Sequence, residues 1–442
     1  MLQSNFLETL EKKLLTLEED LSHLSAEEQY ERIMARVATR PNSVISPEDL
    51  LKQLKRSKDT GKPLKIKFGI DPTGPEIHIG HAISMINLSL FLRMGHELQI
   101  VVGDFTAKIG DPSGRSNERP PLTDEDIQKN MESYERQASR LIDFKHKRVT
   151  KHFNSEWMNK LTFSEWLELL KGISLSSMIQ RDDFRKRLDK GLGVSLAEME
   201  YGLFMGYDSI ALKSDIEIGG IDQYLNFHCC RNMMNQAGLK PEVILTYDLL
   251  PGTSGEKDED GRLVKMSKSK GNYIPLEADP KDMYGKVMSI PDDVMWIWYR
   301  EITQISEDDC NKLKLLVESG ELHPKDAKKL LARVVVATFN HYDPKVIEEA
   351  QKDFDSKFGK SSSLVPDNIV KVSFEAHEKM LDTLARILQE SKGHVRRLVK
   401  QSGIRILKAE KYIPMTEEEL EKDTSFFKGS LVKVGKIHFY EF

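Results

Sequence analysis

Two stretches of the 442-residue chain carry side chains that could hold a triphosphate. The first is Lys67-Phe68-Gly69-Ile70-Asp71-Pro72-Thr73-Gly74-Pro75-Glu76-Ile77-His78-Ile79-Gly80-His81, an apolar run that breaks at Asp71–Pro75 and meets two histidines just before a helical pattern. That order predicts strand, turn and helix start. The free N–H groups and positive dipole end of a helix start favour a phosphate, and Gly80 lets a ligand approach the backbone closely. The second stretch is Lys265-Met266-Ser267-Lys268-Ser269-Lys270-Gly271-Asn272, directly after the polar loop Pro251–Gly261, whose composition implies exposure and mobility. A loop with two lysines could close over a triphosphate and neutralise charge developing on a leaving pyrophosphate. Taken singly, the first stretch could be a helix cap and the second a solvated basic loop. Together and in this order, they argue for phosphoryl chemistry.

The elements that must position them can be read around these two stretches. Residues 64–71 form a strand, a helix runs from His81 through Leu92 until Gly95 ends it, and Glu97–Gly103 reads as a second, buried strand. Strand, helix and strand with short connections make a parallel βαβ unit, in which ligands bind beyond the C-terminal strand ends. The stretch Asp104–Ser116 lies beside the opening turn. No G-x-G-x-x-G or Walker loop occurs, which excludes the usual dinucleotide fold and the P-loop. Residues 1 to about 60 show a helical leucine pattern at Leu7, Leu10, Leu14 and Leu17, and Ser46-Pro47 opens a further helix with Ser46 as N-cap. Residues 121–200 read as mostly helical, with Thr123 as a capping candidate, and Val243–Thr246 as a strand. Residues 280–355 are helical, Ser361–Ser363 and Pro366 suggest a linker, and a small module follows. It has a helix through Leu381 and Leu388, a basic helix at His394–Lys400, and a strand over Leu431–Phe439, which alternates.

Bulk properties narrow the partners. Hydrophobic residues make up 39% and charged residues 31%, as in ordinary globular proteins, and the net charge of -5 excludes a general nucleic-acid coat and points away from DNA. The three cysteines, Cys229, Cys230 and Cys310, form no C-x-x-C, so neither a disulfide framework nor a structural zinc site is expected. No apolar run reaches membrane-spanning length and the N-terminus lacks an apolar leader, so a cytoplasmic protein is expected.

The two stretches resemble the HIGH and KMSKS signatures of class I aminoacyl-tRNA synthetases. The flanking residues Phe68–Thr73, Ile109–Gly114, Gly219-Gly220-Ile221-Asp222-Gln223 and Lys265–Asn272 resemble the bacterial-type tyrosyl-tRNA synthetases. The similarity runs from about residue 60 to residue 300. It continues more weakly into Arg396-Arg397-Leu398-Val399-Lys400-Gln401-Ser402-Gly403, which looks like an RNA-binding module shared with a ribosomal protein. The resemblance implies an α/β fold: a Rossmann-like parallel-sheet catalytic domain, a helical domain and a small C-terminal α+β RNA-binding module. The divisions expected are a helical segment at 1–58, the catalytic domain at 59–275 with a helical insertion, a helical anticodon-recognition domain at 276–360 and the RNA-binding module at 361–442. It also implies ATP-dependent activation of an amino acid, transfer to tRNA and a homodimer, with Mg2+ accompanying ATP and held by no motif of the chain.

By the same resemblance, Thr73, His78, His81, Lys265, Lys268, Arg115 and Arg119 serve the phosphates. Asp71, Gly80, Gly220, Asp222 and Met266 form the nucleotide side, with Asp71 and Asp222 also placed for the amine. Lys67, Asp111, Tyr201, Met205, Asp208 and Gln223 form the amino-acid pocket, and Arg396, Arg397 and Lys400 meet RNA. Asp208 would read a phenolic hydroxyl, since a buried carboxylate rejects an analogue that leaves it unpaired. Three positions depart from the family pattern. Met205 stands where a glutamine is usual and cannot accept a strong hydrogen bond. Ile221 replaces a small hydroxyl residue, and Lys67 stands where many members have a tyrosine, though some bacterial members share the lysine. They set a paralogue with an altered amino-acid pocket beside a tyrosine enzyme with compensation nearby. A nucleotidyltransferase would share the first stretch but rarely the second, and a non-catalytic RNA-binding relative would have lost His78, His81 or Lys265.

Overall fold

The computed structural model describes residues 2–37, 43–112, 122–179, 182–303, 305–358, 369–375, 377–408, 411–435 and 438–442. The chain divides into two compact units, Met1–Ile347 and Glu348–Phe442, and the helix Pro344–Phe358 crosses the division.

The first unit is built on a six-stranded sheet of β1 (Val44–Ile45), β2 (Lys65–Ile70), β3 (Glu97–Val102), β4 (Val149–Phe153), β5 (Ile216–Gly220) and β6 (Val243–Tyr247), in the order β1-β6-β5-β2-β3-β4. Strands β2 to β6 are parallel, as expected. The two-residue β1 is antiparallel to β6, so the sheet is mixed. Strand β4 lies within a stretch read from sequence as mostly helical. It is an edge strand with half-exposed residues, so no apolar run advertises it. The order reverses between β2 and β5, and the crevice beyond their C-terminal ends is where open α/β sheets bind ligands.

Helices fill both faces because the strands are apolar on both sides; β3 and β6 are buried along most of their length. The helix Ile79–Arg93 follows β2 and buries nine residues, Ile79 and Phe91 among them. It stops at Met94, and Gly95 turns the chain at φ +90°. Thr123 caps Asp124–Ala138 in a reciprocal box with Asp126. Ser46 does not cap the Pro47–Thr60 helix through its side chain: its backbone is left-handed and its Oγ accepts from Arg231 instead. The half-buried Arg36 guanidinium joins three elements, donating to Asn87 Oδ1, Thr303 O and Glu301 O.

The second unit is a five-stranded sheet of β7 (Ile369–Lys371), β8 (Ile404–Lys408), β9 (Lys411–Pro414), β10 (Leu431–Val434) and β11 (His438–Glu441), in the order β7-β11-β10-β8-β9. Helices Met380–Leu388 and Lys392–Lys400 share its core through Leu384, Val395 and Val399. The alternation over 431–439 is two strands, not one. Gly435 turns the chain at φ +62°, and β10 and β11 pair as an antiparallel hairpin.

The helices Leu196–Leu212 and Tyr224–Gln236 pack closely because Gly206 has no side chain. A Cβ there would lie 2.9 Å from Met233 Cγ and 3.0 Å from the Cys230 Cα. Gly206→Ala is expected to force the helices apart and lower the unfolding free energy by about 1–3 kcal/mol, measured by urea denaturation. An unchanged midpoint would show that this contact is slack.

Candidate active site

The turn after β2 is locked from two sides. On one side, the helix Asp124–Ala138 supplies side chains: Asn130 Nδ2 donates to Pro72 O at 2.9 Å, Gln137 Nε2 to Pro75 O at 2.7 Å, and Ile77 N donates to Gln137 Oε1 at 2.9 Å. On the other side, the segment leaving the lysine loop pairs with the turn. Ile79 N donates to Ile274 O and Leu276 N to Ile77 O, each at 3.0 Å, which forms an antiparallel bridge between His78 and Pro275. Asn130 and Gln137 carry no signal in the sequence, because polar residues on a charged amphipathic helix read as solvent-facing.

The bridge brings the two phosphate-binding candidates to one cleft of about 740 Å3, lined by Asp71, Thr73, His78, Gly80, His81, Tyr201, Met205, Asp208, Gly220, Asp222, Gln223, Lys265, Met266 and Lys268, with Asp111 and Glu217. His78 is the N-cap of the Ile79–Arg93 helix. Its N–H faces His81 Nδ1 at 3.3 Å, and the two rings stack with centroids 3.7 Å apart. Burial first, then the His81 ring and the lysine charges, push His78 down to about 3; burial and the same lysines push His81 down to about 4. Both rings are therefore neutral at physiological pH and act as hydrogen-bonding groups, not as cations. Among the described residues nothing pairs with the buried His78 Nδ1. A Cβ at Gly80 would sit 3.0 Å from that atom, so a side chain here would disturb the ring.

The lysine loop is held over this turn. Met266 is buried and its N–H donates to Leu250 O; Ser267 N donates to Asn272 Oδ1. Lys265 Nζ lies 3.2 Å from Asp222 Oδ2, and Lys268 Nζ donates to Glu76 O. The polar loop before it is exposed over Glu256–Gly261, but it starts from buried Pro251 and Gly252 and folds back through bridges Pro251–Lys265 and Lys257–Leu263. Arg115 and Arg119 lie outside the described residues.

At the other end of the cleft three carboxylates converge. Asp71 accepts from Thr106 Oγ1 at 2.8 Å and from the Tyr201 hydroxyl at 2.9 Å. Gly103 makes room for it, since a Cβ there would fall 2.0 Å from Asp71 Oδ1. Burial, with Asp111 and Asp208 adding repulsion, pushes Asp71 up to about 7 against those hydrogen bonds. Asp111 accepts from Gln223 Nε2 at 2.8 Å. Asn226 Nδ2 lies 3.5 Å from Asp111 and donates to Gln223 Oε1 at 2.8 Å. Asp208 is almost fully buried and accepts from Trp157 Nε1 at 2.8 Å. Burial raises it to about 6, while the Lys67 charge opposes the rise. This end can therefore hold an ammonium group between Asp71 and Asp111 and a hydroxyl donor at Asp208. Lys67 itself is fully buried, with its Nζ at Met205 O, Ser209 Oγ and Glu217 Oε1.

In the second unit the basic helix is partly self-neutralised. Arg396 pairs with Glu421 at 2.7 Å and Lys400 with Glu417 at 3.3 Å. Arg397 donates to His394 Nδ1 and has no acidic partner among the described residues.

Residues 58–358 match the family model described as tRNA synthetases class I (W and Y). The chain is 37% identical over 398 residues to the tyrosine–tRNA ligase of Moorella thermoacetica, covering 90% of this chain and 92% of that one. It is 37% identical over 401 residues to that of Aquifex aeolicus, covering 90% and 95%. Among solved structures, a C-terminally truncated mitochondrial tyrosyl-tRNA synthetase of Coccidioides posadasii shares the fold, with a TM-score of 0.55 at 23% identity over 79% of this chain and 99% of that one. The Archaeoglobus fulgidus tyrosyl-tRNA synthetase complexed with L-tyrosine does so with a TM-score of 0.54 at 21% identity over 74% and 99%.

The carboxylates set the pH response. An ammonium ligand needs Asp71 ionised, and protonation occurs below a raised pKa, so affinity falls as the pH drops. Direct titration of the free protein with its amino acid from about pH 8 to about pH 6 should show the dissociation constant rising, approaching tenfold per unit below the carboxylate pKa values. A flat profile would contradict the placement of the amine at Asp71.

Proposed function

The chain belongs to the tyrosyl-tRNA ligase family of class I tRNA synthetases, and from that premise we propose that it activates tyrosine with ATP and transfers the tyrosyl group to tRNA. The observation that carries this reading is the single cleft, with a phosphate end at His78, His81, Lys265 and Lys268 and an amino-acid end at Asp71, Asp111 and Asp208. The amino-acid carboxylate attacks the α-phosphate of ATP, giving the aminoacyl-adenylate and pyrophosphate. That carboxylate is already ionised, so the step needs no general base, in keeping with two histidines held neutral. Catalysis then rests on orientation and on charge placed for the transition state. Lys265 exchanges Asp222 for the pyrophosphate, Lys268 leaves Glu76 O for it, and the neutral histidines donate to phosphate oxygens. Gly220 and Asp222 meet the ribose, and Thr73 lies beside the phosphates. The donors at this end suit phosphate oxygens; Mg2+ enters with ATP, on its phosphates.

The amino end tolerates Met205. Asp71, Asp111 and the Tyr201 hydroxyl give the ammonium two carboxylates and a phenol without the usual glutamine, which favours a tyrosine enzyme with local compensation over a paralogue with a different amino acid. The exposed apolar side chains Phe163 (75%), Leu175 (58%) and Leu196 (75%) in the inserted helices support a homodimer through this region. Of the three cations on the basic helix, Arg397 needs to leave no carboxylate to meet RNA phosphates, whereas Arg396 and Lys400 must first leave theirs.

ATP–pyrophosphate exchange with tyrosine, phenylalanine and a panel of tyrosine analogues tests the reading. Tyrosine is expected to be the best substrate by a wide margin. A better analogue would establish the paralogue, and no exchange with any amino acid would leave a non-catalytic RNA-binding relative. For the tail, Arg397→Ala should weaken tRNA binding at every salt concentration and reduce the salt slope by about one. An unchanged slope would move the RNA contact elsewhere.

A further inference from the structure

The floor of the amino-acid end rests on a buried ionic cluster that lies largely outside the motifs. Lys67 on β2 and Glu217 on β5 are cross-strand neighbours at the crevice, both fully buried, with Nζ 2.8 Å from Oε1. The same ammonium lies 2.9 Å from Met205 O and 2.7 Å from Ser209 Oγ. Two of its three donors go to Met205 O and Ser209 Oγ, and its charge is paired with the Glu217 carboxylate. Ser209 Oγ, having accepted from Lys67, turns its own proton to Glu242 Oε1 at 2.8 Å, and Ser214 Oγ donates to the other oxygen. Glu242 is fully buried just before β6.

Two carboxylates thus share one ammonium. Burial drives Glu217 well above the ordinary carboxylate range; the Lys67 charge opposes the rise and repulsion from Glu242 adds to it. Glu217, Cys230 and Glu242 bring their ligand atoms within 4.8 Å of one another, but the Lys67 ammonium already supplies a cation there, and burial keeps the Cys230 thiol protonated.

Met205 and Ser209 belong to one turn of the Leu196–Leu212 helix, the turn that carries Asp208. We infer that Glu242, acting through Ser209 and Lys67, is a positioning residue for the amino-acid pocket: it clamps this turn to β2, aims the Asp208 carboxylate, and so sets the preference for a side chain bearing a hydroxyl over the same side chain without one. The inference rests on the tyrosine reading of the site. A well-aimed buried carboxylate penalises a substrate that leaves it unpaired; a displaced one relaxes that penalty. A buried ion cluster can also serve folding alone. The direct grip on the Asp208 turn is what argues for the functional role.

The test is Glu242→Gln, which keeps an acceptor for Ser209 but removes the carboxylate to which Ser209 and Ser214 both donate. In tyrosine- and phenylalanine-dependent ATP–pyrophosphate exchange, the KM for tyrosine should rise about tenfold and the tyrosine/phenylalanine ratio of kcat/KM should fall about tenfold, with kcat at saturating tyrosine and the KM for ATP changed by less than about twofold. Ser209→Ala cuts the same relay and should shift the same constants in the same direction, which keeps the test open if Glu242→Gln does not fold. Unchanged tyrosine KM and selectivity in a folded variant overturn the inference. So does a uniform loss across all constants together with a lower unfolding midpoint, or failure of both variants to fold, since each marks a purely structural role. A wild-type protein that does not prefer tyrosine to phenylalanine sinks the substrate reading itself, before any variant is made.

Discussion

Two backbone hydrogen bonds, from Ile79 to Ile274 and from Leu276 to Ile77, hold the site together. They join segments almost two hundred residues apart in sequence and set the lysine loop against the start of a helix. Such a bridge uses no side chain, so it fixes the spacing of the two candidate phosphate-binding elements independently of the side chains they carry. For the loop to meet a triphosphate, Lys265 would leave Asp222 and Lys268 would leave the Glu76 carbonyl. A helix start alone attracts a phosphate weakly. Facing two lysines across a fixed gap, it becomes one wall of a charged slot.

The rest of the cleft is governed by the cost of burying charge. Two carboxylates, Asp71 and Asp208, and two histidines stand in its walls, and burial moves each of these four toward its neutral form. The histidines are left neutral, which suits donors to phosphate that add no cation beside the lysines. The carboxylates are left near the edge of ionisation, restrained by Thr106, Tyr201, Trp157 and Lys67. A positive charge arriving beside Asp71 would favour its ionised form, so binding of an amine there and ionisation of the carboxylate would be coupled.

The legible parts of this design were local in sequence. The turn at 67–81 and the loop at 265–272 are continuous segments whose residue types state their chemistry, and β2, β3 and β6 are apolar runs bounded by turn residues. What was not legible depends on distant partners. Lys67 finds its acceptors on Met205, Ser209 and Glu217, all more than a hundred residues away, and Glu217 and Glu242 look like ordinary polar positions in or beside strands. Strand β4 is half-exposed, and β1 is too short to leave a pattern. The hairpin of β10 and β11 was read as one strand because alternation continues through its turn, where only Gly435 marks the reversal. Ser46 has the type and place of an N-cap, yet its side chain is claimed by Arg231.

The claim on which the rest depends is that the two distant phosphate-binding elements act on one reacting phosphate. Single-turnover formation of enzyme-bound adenylate from ATP and tyrosine, compared between the wild type and Lys268→Ala, tests it most directly. The rate at saturating substrates should fall by about 100-fold or more with tyrosine affinity unchanged, because the lysine acts on charge that develops only in the transition state. Equal rates in the two proteins, or a loss confined to tyrosine affinity, would contradict it.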